Sequence, residues 1–306
     1  MKVFITGITG FVGSMLANKF AEDGFEVAGL GRKETLPAHV DKRCAYVRED
    51  IKKPISQIDA DIVIHAAAQV DDNASYTEHY ANNVVGAANV IDACSARTTL
   101  FILISTSSVY SFNECVPYAE GKAGNEFETL SAYGKTKFLA EQKLLAAPHL
   151  MQKVILRPRA IYGPGDTVLV PRLLRLVKKH FILLPKHTTT RISLTHINNL
   201  IFAVQQCLSL QRQHYETYVF NVADEKIYSL KEAIPALLQH VSKKNLKVVF
   251  IPKQLWIILV KINAKFHFIP ELTSFGSRQL TQSAILDISA IKNQLAYVST
   301  YNFTHL

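Results

Sequence analysis

With 306 residues, the chain is long enough for a full α/β core plus a smaller lobe and too short for several independent domains. Its 48% hydrophobic and 19% charged residues exclude a disordered or fibrous protein. The formal charge of +9 admits a nucleic acid, an anionic membrane surface or an anionic ligand, but the basic residues are dispersed and no aromatic-studded basic strand accompanies them, which argues against nucleic acid.

Val3-Phe4-Ile5 is a short apolar run ending at Gly7-x-x-Gly10-x-x-Gly13, and Phe11 to Leu16 then begins a helix with apolar residues at helical spacing. Lys2 precedes the run, yet the glycines interrupt it and no small-residue cleavage site follows, so a buried strand is expected and not a signal peptide. Further strands are predicted at Glu26 to Leu30, Cys44 to Val47, Ile62 to His65, Leu100 to Ile104 and Val154 to Leu156. A helix carrying Val84, Val85, Ala88, Val90 and Ile91 precedes the fifth of these six strands. Strands alternating with helices, several of them continuously apolar, predict a doubly wound parallel α/β sheet of Rossmann type, covered on both faces.

From Gly163-Pro164-Gly165 onward the alternation becomes irregular, with a basic helix expected over residues 171–180, a β-like Arg191 to Leu194, and a strand at Tyr218 to Val222. The expected division is a dinucleotide-binding domain over 1–166 and 191–223 and a smaller C-terminal substrate lobe over 167–190 and 224–306. That lobe would cover the carboxyl edge of the sheet, where ligands bind. No stretch is long enough to span a bilayer. Cys44, Cys94, Cys115 and Cys207 form no C-x-x-C pair and suggest neither a disulfide framework nor zinc; a reducing cytoplasm fits them.

Glycines at 7, 10 and 13 remove side chains where a backbone must turn, approach phosphate and pack strand on helix, leaving a helix N-terminus aimed at an anion. In a site that holds NAD an acid usually ends the second strand. Here that place reads Gly31-Arg32-Lys33, so NADP(H) is favoured over NAD(H), the alternative being that these cations are merely solvated. Asp50 and Ile51 follow the third strand and would flank the adenine, unless Asp50 only caps a turn.

Tyr133 and Lys137 stand four residues apart and share a helix face, where the ammonium would lower the phenol's pKa and suit it to acid–base work. Ser105-Thr106-Ser107-Ser108 leaves the strand 100–104 at the carboxyl edge and would face the ligand crevice. His65 and His196 are expected to be hydrogen-bonded structural residues, and neither is assigned a metal.

The segments Thr6 to Gly13, His65-Ala66-Ala67-Ala68, Ser105-Thr106-x-x-Val109-Tyr110, Tyr133-x-x-x-Lys137, Leu156-Arg157-Pro158 through Gly163-Pro164-Gly165-Asp166 and Asn221-Val222-Ala223 occur in order along the chain. In this the chain resembles the extended short-chain dehydrogenase/reductase family, also called the NAD-dependent epimerase/dehydratase family. The resemblance implies that Tyr133 is the acid–base residue, that Lys137 tunes it and holds the nicotinamide ribose, and that Thr106 binds the reacting oxygen. It further implies cofactor contacts from Gly7, Thr9, Gly10, Phe11, Val12, Gly13, Ala66, Ala67, Ala68 and Pro158. Substrate contacts are expected from Thr106, Ser107, Ser108, Ala160 and Arg191, and a homodimer through helices near 80–95 and 131–146. Relatives usually continue through another helix after Leu295-Ala296-Tyr297.

Ala160 stands where nucleotide-sugar members typically carry an asparagine. The segment 156–172, Ile269 to Thr273 and Leu286 to Ser289 look more like the 3β-hydroxysteroid dehydrogenase-like branch. Leu255 to Val260 is apolar on every face, and lines an oily pocket, makes a peripheral membrane contact or forms a buried core helix. The leading expectation is a reductase interconverting a secondary alcohol and a ketone on a largely hydrophobic small molecule. A nucleotide-sugar epimerase, dehydratase or reductase is the second, and a non-catalytic dinucleotide-binding regulator the third.

Overall fold

A computed structural model describes residues 1–113, 117–147, 151–177, 181–186, 190–210, 215–241, 247–266, 277 and 280–303. Strands β1 (Lys2–Thr6), β2 (Glu26–Gly31), β3 (Ala45–Arg48), β4 (Ile62–His65), β5 (Leu100–Ile104), β6 (Gln152–Pro158) and β11 (Thr217–Val222) form one sheet in the order β11-β6-β5-β4-β1-β2-β3. Every pairing in it is parallel. β4, β5 and β6 are buried at every residue, which is why β5, Ile62 to Ile64 of β4 and Val154 to Leu156 of β6 are apolar without alternation. Helices α1 (Phe11–Glu22) and α6 (Ile197–Gln206) pack one face through Leu16, Phe20, Leu200 and Val204 against Ile5, Ile64 and Ile102. α3 (Gly86–Asp92) and α4 (Ala132–Ala146) cover the other through Val90, Ile91 and Leu144 against Val63, Phe101 and Ile155.

The chain leaves β1 toward β2 and β3, then crosses back to β4 on the other side. The strand order therefore reverses between β1 and β4, and the glycine turn and the His65-Ala66-Ala67-Ala68 turn emerge side by side at that point. The helix expected around Val84 begins as a short α2 (Tyr76–His79), widens into a π-helical stretch at Tyr80–Val85 and continues as α3.

A second core gathers Tyr162, Val170, Leu173, Ile182, Leu184, Tyr228, Leu237 and Trp256. It is built on β7 (Ile161–Tyr162), α5 (Leu169–Arg175), β8 (Phe181–Pro185), β12 (Tyr228–Ser229), α7 (Leu230–Val241), β13 (Lys247–Ile251) and α8 (Lys253–Phe266). Of the expected β-like stretch at 191–194 only β9 (Arg191–Ile192) is a strand, pairing with β12; β10 (Thr195–His196) follows it and pairs with β7. α5 starts two residues earlier than the basic pattern predicts, because the Asp166 carboxylate accepts the backbone N–H groups of Val168, Leu169 and Val170 at 2.7, 2.9 and 2.9 Å. Lys178, Lys179, Cys115 and Ile269 to Thr273 lie outside the described residues.

Candidate active site

Gly7 has φ +71°, and a Cβ there would lie 2.9 Å from the Ala67 backbone, so the turn after β1 closes onto the turn after β4 only with glycine. A Cβ on Gly13 would stand 2.2 Å from the Gly7 carbonyl oxygen. Gly10 is the N-cap of α1 and supplies no side-chain cap, so the helix presents its first-turn N–H groups to the crevice. Thr9 packs against Gly31, Phe11 lies under Gly165, and Val12 is half-buried beside them. Ala66, Ala67 and Ala68 are half-buried across the turn, and Pro158 is buried at the end of β6. This cradle fits a dinucleotide pyrophosphate.

Arg32 and Lys33 are exposed just past β2, where the Tyr46 hydroxyl donates to the Lys33 carbonyl at 2.5 Å. Asp50 caps its turn: its carboxylate accepts the Lys52 backbone N–H at 3.1 Å and pairs with the Lys52 ammonium at 3.4 Å. Ile51 is buried and fills the space above Gly86.

α4 is capped by Ser131, whose hydroxyl accepts the Gly134 N–H at 3.1 Å. A Cβ on Gly134 would be 2.2 Å from the Ser108 carbonyl oxygen, so α4 rests directly on the turn that follows β5. That contact sets Tyr133 beside Thr106, whose hydroxyl lies close enough to act on the phenol. Lys137 is 1% exposed and donates to the Ile104 carbonyl at 2.8 Å. The i,i+4 spacing thus brings Thr106, Tyr133 and Lys137 together at the carboxyl edge.

The expected electrostatics of the phenol are corrected by the structure. Burial pushes Tyr133 up to about 12, against the opposing pull of the Thr106 hydroxyl and the Arg172 guanidinium, while the Asp72 carboxylate raises it further. The Lys137 ammonium gives one of its donors to Ile104, and burial draws it down to about 8 although Glu141 opposes the shift. Desolvation outweighs the Arg172 cation, and the Tyr133 phenol keeps its proton at neutral pH.

Several supporting residues were not singled out by the sequence. Asn83, in the π-helical stretch, accepts the Gln69 N–H at 2.8 Å and donates to Thr136 on α4 at 3.0 Å. Arg157 on β6 grips Glu141 on α4 in a buried bidentate pair at 2.9 and 2.6 Å, and Ser105 donates to the same carboxylate. Arg172 on α5 reaches across to Asp72 at 3.2 Å and to the Val70 carbonyl, joining the second core to the loop after β4 close to Tyr133. Arg159 is buried over the Phe112 ring, 4.6 Å from its centroid, and donates to Ser107 at 3.3 Å. Burial lowers its guanidinium to about 10. The common signal missed is a charged residue inside an apolar strand or helix face, which needs a partner from another element.

Ser107 is therefore held by Arg159, and Ser108 hydrogen-bonds Thr106 at 3.3 Å and lines a cleft with Tyr110, Phe112, Leu130, Ser131, Arg159 and Ala284. Ala160 is exposed with φ +42°. Arg191 is exposed on β9, and its described contacts, such as its N–H to Ser283 at 3.1 Å, do not reach Thr106 or Tyr133.

His196 caps α6 by accepting the Asn198 N–H at 3.2 Å. His65 is buried, bonds Thr6 through Nδ1 at 2.7 Å, and is lowered to about 3 by burial and by the Lys137 charge. A neutral histidine favoured by the fold stabilises it above pH 6.5, and that contribution is lost as pH falls from 6.5 toward 3. Denaturant unfolding is expected to lose about 1.4 kcal/mol per pH unit on this account. His65→Gln should flatten the slope between pH 6.5 and 5, and an unchanged slope would assign it to other groups.

The family model described as the NAD dependent epimerase/dehydratase family matches residues 3–223. A 2-alkyl-3-oxoalkanoate reductase of Stenotrophomonas maltophilia (strain K279a) is 32% identical over 212 residues, which are 66% of this chain and 64% of that protein. A decarboxylating sterol-4-alpha-carboxylate 3-dehydrogenase of Dictyostelium discoideum is 29% identical over 181 residues, 55% of each chain. Among solved structures, the UDP-glucuronic acid 4-epimerase of Bacillus cereus in complex with NAD aligns over all of this chain and 93% of that one, with TM-score 0.74 at 22% identity, which establishes the fold. Motif order, sheet topology and profile agree, and the chain belongs to the NAD dependent epimerase/dehydratase family of extended short-chain dehydrogenase/reductase enzymes.

Proposed function

We propose that the protein is an NADP(H)-dependent oxidoreductase that interconverts a secondary alcohol and a ketone on a largely hydrophobic substrate. The observation that carries this reading is the juxtaposition of the Thr106 and Tyr133 hydroxyls at the carboxyl edge, with Lys137 anchored to the Ile104 carbonyl beside them. The family uses a nicotinamide dinucleotide, which supplies or takes the hydride when bound. Gly7, Gly10, Gly13, Ala66 and Ala67 hold it. Tyr133 gives its phenolic proton to the carbonyl oxygen of the ketone, Thr106 fixes that oxygen, and Lys137 lies where it binds the nicotinamide ribose. Arg32 and Lys33, exposed with no carboxylate at the end of β2, favour a 2′-phosphate.

The cleft beside Ser108 is lined by Phe112, Leu130 and Ala284 together with Ser111, Thr129, Ser131, Gln282 and Arg159, which supports a substrate with an apolar part and a polar end. A 2-alkyl-3-oxoalkanoate, as named for the Stenotrophomonas relative, is a ketone one carbon from a carboxylate with an alkyl branch, and Arg159 puts a cation in the cleft wall for such a group. A nucleotide-sugar reading is less well supported, because Ala160 offers no amide and Arg191 is turned outward. Free thiols at Cys44, Cys94 and Cys207 support a reducing cytoplasm, and exposed Tyr76, Tyr80 and Val85 support a homodimer through the helices before β5.

The reading is tested by following NADPH and NADH consumption with a 2-alkyl-3-oxo acid, a sterol-like ketone and a UDP-sugar. Ketone reduction with NADPH preferred about tenfold is expected, and Arg32→Glu should remove that preference. Equal use of both dinucleotides would remove the Arg32 argument; thermal stabilisation by the UDP-sugar alone would overturn the substrate reading.

A further inference from the structure

We propose that helix α8 is a docking face for an anionic lipid surface. α8 turns Trp256 and Val260 into the second core, at 1% and 9% exposure. Its outer side carries Leu255, Ile258, Ile262 and Phe266, which are 55%, 51%, 45% and 56% exposed. Their spacing of three, four and four residues puts them in one stripe along the helix. Single exposed leucines are ordinary on protein surfaces, whereas a continuous stripe of four large aliphatic and aromatic side chains marks a contact with an apolar phase.

The charge beside the stripe selects the partner. Lys261 and Lys265 are exposed on the neighbouring line of α8, and the Lys265 ammonium lies 5.5 Å from the Phe266 ring centroid. Between Glu232 and Glu271 the sequence contains no Asp or Glu, while it contains Lys243, Lys244, Lys247, Lys253, Lys261 and Lys265. An apolar stripe flanked by lysines in an acid-free stretch is the pattern that inserts among acyl chains while its ammonium groups meet phosphate headgroups. A second copy of this chain is a poorer partner, because apposing two such faces brings like charges together. No helix among the described residues is long and apolar enough to cross a membrane, so the contact lies in the plane of the surface.

Flotation of the full chain with vesicles tests this. Recovery with phosphatidylcholine vesicles containing phosphatidylglycerol is expected, with much less on phosphatidylcholine alone and a decline as salt is raised. Ile258→Ser with Ile262→Ser, and separately Lys261→Gln with Lys265→Gln, should each weaken partitioning about tenfold or more. These positions are exposed, so the fluorescence of the buried Trp256 and the Tm should stay as in the parent. If the serine pair disturbs the fold, the glutamine pair decides. Failure of the parent chain to float on phosphatidylglycerol vesicles, or equal recovery of parent and glutamine variant, overturns the proposal. So does a parent that remains unbound while the serine variant alone changes from dimer to monomer, which would give the face to a second copy.

Discussion

Tyr133→Phe is expected to lower kcat by about 10²–10⁴-fold while dinucleotide affinity stays nearly unchanged, as read by rapid turnover assays and by the fluorescence of bound NADPH. The phenol is raised to about 12 by burial, so at neutral pH it holds its proton and is ready to protonate a ketone oxygen. Removing one oxygen leaves the ring packed beside His79, whose centroid is 5.9 Å away, and leaves Lys137 on Ile104. The loss would then be confined to proton transfer and to orientation by Thr106. Full activity in Tyr133→Phe would assign the acid to another group and remove the central pair from the mechanism.

Glu141→Ala is expected to cost about 3–5 kcal/mol of stability, because it strips the partner from a guanidinium that cannot reach water. Arg157 and Glu141 have side-chain exposures of 6% and 0%. Arg157 also donates to the Tyr110 hydroxyl at 3.1 Å and to the Glu120 carbonyl at 2.8 Å, and Tyr110 donates to Asn221 at 2.6 Å. The pair therefore ties α4, which carries Tyr133 and Lys137, to β6 and to the loop after β5. A Tm lowered by about 10 °C is the expected calorimetric result. Adding Arg157→Met to Glu141→Leu should recover part of that, since a buried pair exchanged for apolar volume is often near neutral, but Tyr110 and the Glu120 carbonyl lose a donor. A single Glu141→Ala with parental Tm would show that the pair contributes nothing.

What the amino-acid pattern made legible follows from local chemistry. The unbroken apolar runs at Ile62 to His65 and Leu100 to Ile104 have only one comfortable place, a parallel strand buried on both faces, and they occupy it. Tyr133 and Lys137 share a helix face by spacing alone. The sign of the phenol's shift was not legible, because it depends on desolvation and on the Arg172–Asp72 pair contributed from distant segments. Arg159 and Arg157 sit two residues apart in sequence yet serve different partners, one Ser107 and one Glu141, which no local pattern reveals. Leu255 to Val260 is apolar on every face in sequence, so only the packing of Trp256 and Val260 determines which side of α8 faces the core.

The widened turn at Tyr80–Val85 has a consequence for how this segment tolerates change. It holds one residue more than a regular helical turn, and Asn83 uses the resulting offset to clasp both Gln69 and Thr136. Deleting one residue there would restore regular winding and leave Val90 and Ile91 on the sheet, but it would remove the offset by which Asn83 reaches Gln69 and Thr136. Side-chain replacements at the solvent-facing Tyr80 and Val85 leave the phase of the helix intact. The segment is thus permissive at its outward positions and demanding at Asn83.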